Sequence, residues 1–249
     1  MSYVLNWLHS YRLMVRWQGL RFKTVLPFAV VGQFFTGIGT VIGLGYMMPN
    51  IDPDSAMFLV TGAPTLTLIT LGLVLVPQMV SQAKADGIFD YLWSLPMPRL
   101  AFLAADLTIW LVATLPGVIL SLVVGSARYD FQLDLDPLAA PAFVLVVLTA
   151  TNVGYAIAHL SPKPELVGVL TNLIIFCLFL FSPINFPAER LPGWLATVHR
   201  VLPVKYAADV VRGTLTGAYV DGPELGFAVL GIWCLLGFGA TYILITRRR

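Results

Sequence analysis

The sequence predicts an all-α polytopic membrane protein with six transmembrane helices. Charged residues make up only 11% of the chain, against about 25% in an ordinary soluble domain, too little polar surface for a water-exposed fold. Its mean hydropathy is +0.83, and 58% of its residues are hydrophobic. Six apolar runs lie close to the roughly 20 residues that a helix needs to cross the hydrocarbon layer. They are 25–48, 56–80, 100–124, 138–160, 166–184 and 225–246. Without an internal repeat, linker or low-complexity tract, residues 1–249 read as a single transmembrane domain.

The stretch 1–24 predicts an amphipathic interfacial helix. Tyr3, Trp7, Tyr11 and Met14 line one side at helical spacing, His9, Arg12 and Arg16 mark another, and Arg21 and Lys23 precede the first apolar run. Aromatics beside basic residues suit the headgroup layer, and the same helix could also brace a cytoplasmic partner. A polar, aromatic N-terminus followed by a full-length run does not read as a cleavable signal peptide. Within the runs, Pro64, Pro77, Pro116 and Pro141 predict kinks. Gly39 and Gly43 form a GxxxG pair, with Gly32 and Thr36 one register earlier. Such spacing lets helices approach closely, and the favoured reading is packing within the chain rather than a seam between copies.

Two segments between runs carry helical patterns of their own. In 81–99, Ile88, Leu92 and Leu95 fall at i, i+4 and i+7, with Phe89 and Trp93 widening the stripe. Lys84, Asp86 and Asp90 keep its start polar, and Pro96 and Pro98 are stop signals. This predicts a short surface helix that either docks a partner or rests on lipid. In 185–224, Leu191, Trp194, Leu195, Val198, Val201 and Leu202 recur at helical spacing after Pro192. Pro203 interrupts, and a second piece runs to Leu215, closed by Gly217. Asp209 and Arg212, three apart, are expected to pair on its surface. An apolar face this strong is not left in water, so the expectation is two short re-entrant helices in the outer leaflet that lid the space between spans.

Basic residues set the orientation. Arg12, Arg16, Arg21, Lys23, Lys84, Arg99, Lys163 and Arg247 to Arg249 fall on one side. Arg128 and the four basic residues of 185–224 fall on the other. The bias predicts a multi-pass protein of the plasma membrane with both termini, and segment 81–99, in the cytoplasm.

Composition and motifs exclude several function classes. A net charge of +2 gives no reason to expect a nucleic-acid partner. Cys177 and Cys234 lie inside apolar runs and read as small core residues. The sequence holds no G-x-x-x-x-G-K-[ST] phosphate loop, and His9, His159 and His199 are scattered without a metal-binding spacing. No nucleophile stands beside a plausible base, so no catalytic residue, metal or cofactor is expected in this chain. Asp106 is the one acid well inside a run; ion-coupled transport needs such a group, although water or a basic neighbour near the interface would equally accommodate it. Gln33, Asn152 and Asn172 are uncharged polar residues suited either to joining helices or to contacting substrate.

Taken together, these features resemble the membrane subunits of type-2 ABC exporters, the drug, lipid and polysaccharide export permeases. KADGIFDYLWSLPMPRLAFLAADL is similar to the family's cytoplasmic coupling element through Asp86, Gly87, Leu92, Leu95, Pro96 and Arg99. FSPINFPAERLPGWLATVHRVLPVKYAADVVRGTL is similar to its outer motif through Pro187, Leu191, Pro192, Trp194, Leu195, Pro203 and Arg212. The chain departs from the family where Asp86 and Ile88 flank the coupling glycine, positions often held by Glu and Thr. The resemblance implies a permease subunit that contacts its ATPase through Asp86, Gly87, Ile88, Phe89, Leu92, Leu95, Pro96 and Arg99. It also implies an outer gate of Pro187, Leu191, Trp194, Leu195, Pro203 and Arg212. Partners would be two ABC ATPase subunits, which carry the ATP and Mg, and a second copy of this chain. The cargo would be a hydrophobic or amphipathic drug, antibiotic or lipid-like molecule. The competing expectation is a secondary transporter driven by an ion gradient through Asp106.

Overall fold

A computed structural model describes residues 3–48, 51–88, 91, 98–161, 163–217 and 222–246, and every regular element among them is helical. Helix α1 (Tyr3–Arg21) precedes α2 (Val25–Met47), α3 (Pro53–Ala85), α4 (Arg99–Tyr129), α5 (Ala139–Leu160) and α6 (Pro164–Phe181). Two short helices, α7 (Gly193–His199) and α8 (Pro203–Thr216), lead to α9 (Pro223–Thr246). The helices α2 to α6 and α9 are the six long and apolar enough to cross a membrane.

Two boundaries narrow the helix expected over 81–99. The second spanning helix covers 33 residues, about 50 Å at 1.5 Å per residue, and so projects beyond a hydrocarbon core of about 30 Å. Its last five residues, Ser81 to Ala85, hold no helix breaker; the first stop is Gly87, whose φ of 71° fits the left-handed residue after a helix C-cap. At the other end, Arg99 already belongs to the first turn of α4. That helix runs past 124 to Tyr129 and ends at Asp130, with φ 49°.

The prolines act unequally. Pro141 sits in the first turn of α5, where a missing N–H costs nothing, so it is not an interior kink. Pro77 follows a π-helical turn at Leu71–Leu75. Its ring would crowd the Leu73 carbonyl in a regular helix, and widening the preceding turn relieves that clash. A second π turn, Thr40–Leu44, contains no proline. There the Tyr129 hydroxyl donates to the Val41 carbonyl at 2.9 Å, partnering a polar group of the irregular turn.

Helix α3 is the centre of the bundle. Its most apolar window is 83% buried, against 22% for α2 and 17% for α6, so the latter two present most of their surface outward. Two apolar cores divide along α3. One, toward the 185–224 end, includes Ile69, Leu73, Val146, Val211 and Leu230; the other, toward the 81–99 end, includes Phe22, Leu71, Val76, Trp110 and Tyr155. The π turn belongs to both, with Leu71 in one core and Leu73 in the other. Between them Gly72 lies against the backbone of Ala150 and Thr151.

The glycine pair in α2 does not serve packing inside this chain. A Cβ added at Gly32, Gly39 or Gly43 would meet no atom within 4 Å, which corrects the favoured reading of the motif. Gly37 and Gly45 are the glycines of this helix that pack, against Gly117 and Ser121 and against Tyr129 of α4. Cys177 is likewise exposed on α6 rather than a core residue, while Cys234 is partly buried; both are free.

Candidate functional site

At the 81–99 end, α3 stops and the chain turns. Asp86 caps the helix and accepts a hydrogen bond from Gln82 Nε2 at 2.9 Å. Gly87 makes the turn, and the Tyr91 N–H donates to its carbonyl at 3.2 Å, so a new helical turn begins here. Ile88 is half-buried against the core formed by Val80, Ala83 and Phe102. Lys84, one turn earlier, donates to the Ser161 carbonyl at 3.2 Å and ties the tip of α3 to the end of α5. Phe89, Leu92, Leu95 and Pro96 lie outside the described residues. The connection therefore rests on the bundle at Ile88 and Lys84, not on a free loop.

The N-terminal helix joins the same end. Its Trp7–Tyr11–Met14–Gln18 side is buried or half-buried, whereas Leu5, Leu8, Leu13 and Leu20 remain exposed. Trp7 and Tyr11 stack with centroids 5.5 Å apart, and the Tyr11 hydroxyl meets Thr108 Oγ1 at 2.9 Å. Phe22 packs on Trp110 at 5.0 Å between centroids, and the Arg21 guanidinium sits 5.4 Å over the Trp17 ring and 4.9 Å over the Phe22 ring. Burial lowers the Arg21 pKa, and the negative charge of Asp106 opposes that shift.

Asp106 is 4% exposed and sits on α4 about two turns from its start. Its carboxyl receives the Tyr155 hydroxyl of α5 on Oδ2. With the Gln18 amide turned so that nitrogen meets acceptor and oxygen meets donor, its Nε2 donates to Asp106 Oδ1 and its Oε1 accepts the Asp106 N–H at 3.3 Å. One carboxylate thus holds three helices. The sequence carried Asp106 as a lone acid, but neither Gln18, lost among aromatics and arginines, nor Tyr155, inside an apolar run, carried a signal that it would be the partner.

At the opposite end, the predicted gate residues divide into a buried set and an exposed set. Arg212 is 1% exposed. Its Nη1 donates to Asp209 Oδ1 at 3.0 Å, its Nη2 to the Ile184 carbonyl at 2.9 Å, and its guanidinium carbon lies 4.0 Å from the Phe58 ring centroid. The expected surface pair of Asp209 and Arg212 is therefore an inward one, because α8 is buried along most of its length between α3, α5 and α9. Burial draws the Arg212 pKa down to about 10, and Asp209 resists the shift, so the group stays charged at neutral pH. Leu195 is buried, Pro187 and Leu191 are half-buried, and Pro203 opens α8. Trp194 and Val201 are exposed by 71% and 67%. Only part of the apolar pattern of α7 thus packs on protein; the rest faces outward.

The three uncharged candidates are not brought together. Gln33 is buried on α2 against Gly117 of α4, and its Oε1 has no hydrogen-bond partner among the described residues. Asn152 on α5 donates to the Cys234 carbonyl of α9 at 3.4 Å. Asn172 is exposed on α6.

A family model described as ABC-2 type transporter matches residues 9–216. Nodulation protein J of Neorhizobium galegae is 23% identical over 265 residues, covering 99% of this chain and 95% of the relative. A probable doxorubicin resistance ABC transporter permease of Mycobacterium tuberculosis is 25% identical over 229 residues, 89% of this chain and 80% of its own length. The matched span takes in most of α1, the connection at Gly87 and the Arg212 helix, so the chain belongs to the ABC-2 type transporter family and is a multi-pass permease subunit of an ABC transporter.

Proposed function

We propose that this chain is the permease of an ATP-driven exporter that moves a hydrophobic or amphipathic molecule out of the cytoplasm or inner leaflet. Two ABC ATPase subunits, which bind the ATP and Mg, would grip the 81–99 connection and α1 from the cytoplasm, where both termini also lie. Asp86, Gly87, Ile88, Phe89, Leu92, Leu95, Pro96 and Arg99 would form the contact. One observation carries this reading: Ile88, directly after the Gly87 turn, is packed on the same core as the tip of α3, so displacement of the connection acts on the central helix of the bundle. From there the π turn at Leu71–Leu75 leads into the core that holds α8.

A second copy of the chain would pack on the open face of α2, where Gly32, Gly39 and Gly43 are uncovered and Val31, Phe35 and Ile42 line an apolar groove of about 490 Å³. Small residues beside aromatics allow close helix approach in lipid, where van der Waals packing drives association. At the outer end, Leu44, Met47, Leu59, Phe179, Phe186 and Arg190 line a cavity of about 350 Å³. Apolar walls with a cation at the rim suit an amphipathic cargo better than a highly charged solute. Pro187, Leu191, Trp194, Leu195, Pro203 and Arg212 would form the gate that the cargo passes on leaving.

The test is Ile88→Glu in the permease–ATPase complex, with doxorubicin as the transported probe in inverted vesicles. ATP hydrolysis should persist while ATP-dependent doxorubicin uptake falls about tenfold or more, the scale of losing one buried apolar contact. Uptake at the unmodified rate would remove the coupling role. Uptake by the purified permease without its ATPase would remove the ATP-driven reading altogether.

A further inference from the structure

We propose that Asp106 is a positioning residue that makes α1, α4 and α5 move as one body during transport. This inference rests on the ATP-driven reading above and adds how the load is shared once it arrives. Three helices far apart in the sequence meet on one carboxylate: Gln18 from α1 on Oδ1, Tyr155 from α5 on Oδ2, and α4 as its carrier. Gln18 is fully buried and Tyr155 is 3% exposed, so little water reaches the contact to replace a partner that leaves.

The physical consequence is a stiff joint. A carboxylate taken out of water is costly unless donors meet its lone pairs, and removing one donor leaves much of that cost uncompensated. Parting α1 from α4, or α4 from α5, would strand Asp106 or a buried amide or phenol. Two further pins hold the same joint closed, Tyr11 on Thr108 at 2.9 Å and the Phe22–Trp110 ring contact at 5.0 Å. The tip of α3, which leads into the connection at Gly87, reaches α5 independently, through Lys84 and the Ser161 carbonyl at 3.2 Å. A push delivered to α1 and a push delivered to the connection therefore arrive on the same helix. That helix continues to the far core, where Val146 and Val147 pack with the lid residues Val204 and Val211.

In this role Asp106 acts through hydrogen bonding, not through gain and loss of a proton. An asparagine can accept from Tyr155 with its oxygen and donate to the Gln18 oxygen with its nitrogen, once that amide turns over. A leucine can do neither. The two substitutions therefore separate a hydrogen-bonded joint from a proton-carrying site.

The experiment uses the full permease–ATPase complex in lipid nanodiscs. Cys177 and Cys234 are replaced by alanine, and a fluorophore is attached through Val201→Cys, an exposed position at the lid end. The reading is the emission change on adding ATP, Mg and vanadate. Asp106→Asn should keep most of the change. Asp106→Leu and Gln18→Leu should shrink it about tenfold, within the range reached by coupling mutations, while the ATPase still co-purifies and hydrolyses ATP. Tyr155→Phe, which loses only a hydroxyl, should give an intermediate loss and serves if Asp106→Leu fails to fold. A full-sized signal in Gln18→Leu and Tyr155→Phe would overturn the proposal. Asp106→Asn as silent as Asp106→Leu would also overturn it, and would return the residue to a charge-carrying role. No signal even in the unmodified complex would be a different failure, that of the ATP-driven reading, and would take this role with it.

Discussion

The Arg212 guanidinium donates to the Ile184 carbonyl at 2.9 Å and so fastens α8 to the loop leaving the fifth span. The partners are 28 positions apart, and both are essentially unexposed. This one side chain also meets Asp209 and the Phe58 ring, which brings α3, α8 and the loop at Ile184 to a common point.

Removing that side chain should loosen this end of the bundle as a whole. Arg212→Ala leaves the Ile184 carbonyl unpaired and vacates buried volume, at an expected cost of about 3 kcal/mol. Arg212→Lys keeps the charge but lacks the planar fork that reaches both acceptors, and should recover only part of it. Thermal unfolding in detergent reads both variants. An alanine variant that melts with the parent would show that the contact carries no net stability.

His199 predicts a loss of stability in mild acid. The ring packs at the end of α7, with Nε2 donating to the Phe181 carbonyl at 2.8 Å and Nδ1 without a partner among the described residues. Burial lowers its pKa below the ordinary value of 6.5. As the pH falls, the unfolded chain takes up this proton before the folded one does. The contribution is therefore fully present above about 6.5 and is lost as the pH drops through the lower folded value. Melting temperatures between neutral and mildly acid pH should fall in the parent more steeply than in His199→Gln. Parallel curves would assign the acid sensitivity elsewhere.

The glycines of α2 and α3 should respond differently to one added methyl. A Cβ at Gly72 would approach Ala150 Cβ to 2.6 Å and Thr151 N to 2.7 Å, too close for the backbone of α5 to absorb. Gly72→Ala should cost about 1–3 kcal/mol through overpacking. Gly39→Ala meets open space and should leave the melting of a single chain unchanged. If a second copy packs on that face, Gly39→Leu will weaken self-association measured by chemical cross-linking in membranes. Equal melting shifts at the two positions would contradict the geometry of both helices.

The membrane class and the six crossings were legible because length and apolar content are local properties, readable without knowing any neighbour. Gly87 entered only through the resemblance to the coupling element, and its turn, with φ 71°, was not read from the spacing, which placed the stops at Pro96 and Pro98. The start of the turn was misjudged, since Ser81 to Ala85 hold no breaker and extend α3. Arg212 was visible as a member of a motif, but its burial was not, because three-residue spacing to Asp209 is as suited to a surface as to an interior.

What the amino-acid order determined by itself was how many times this chain crosses and where its polar interruptions fall. Which side of each crossing faces inward was decided only by the tertiary structure. Lipid is as apolar as a protein core, so the contrast that marks the buried face of a soluble helix is missing here. Gly39 facing outward, Gly72 facing α5, and Asp106 finding Gln18 and Tyr155 all depend on which helices lie side by side. That arrangement comes from packing and hydrogen bonding between distant segments, and no short stretch of the chain encodes it.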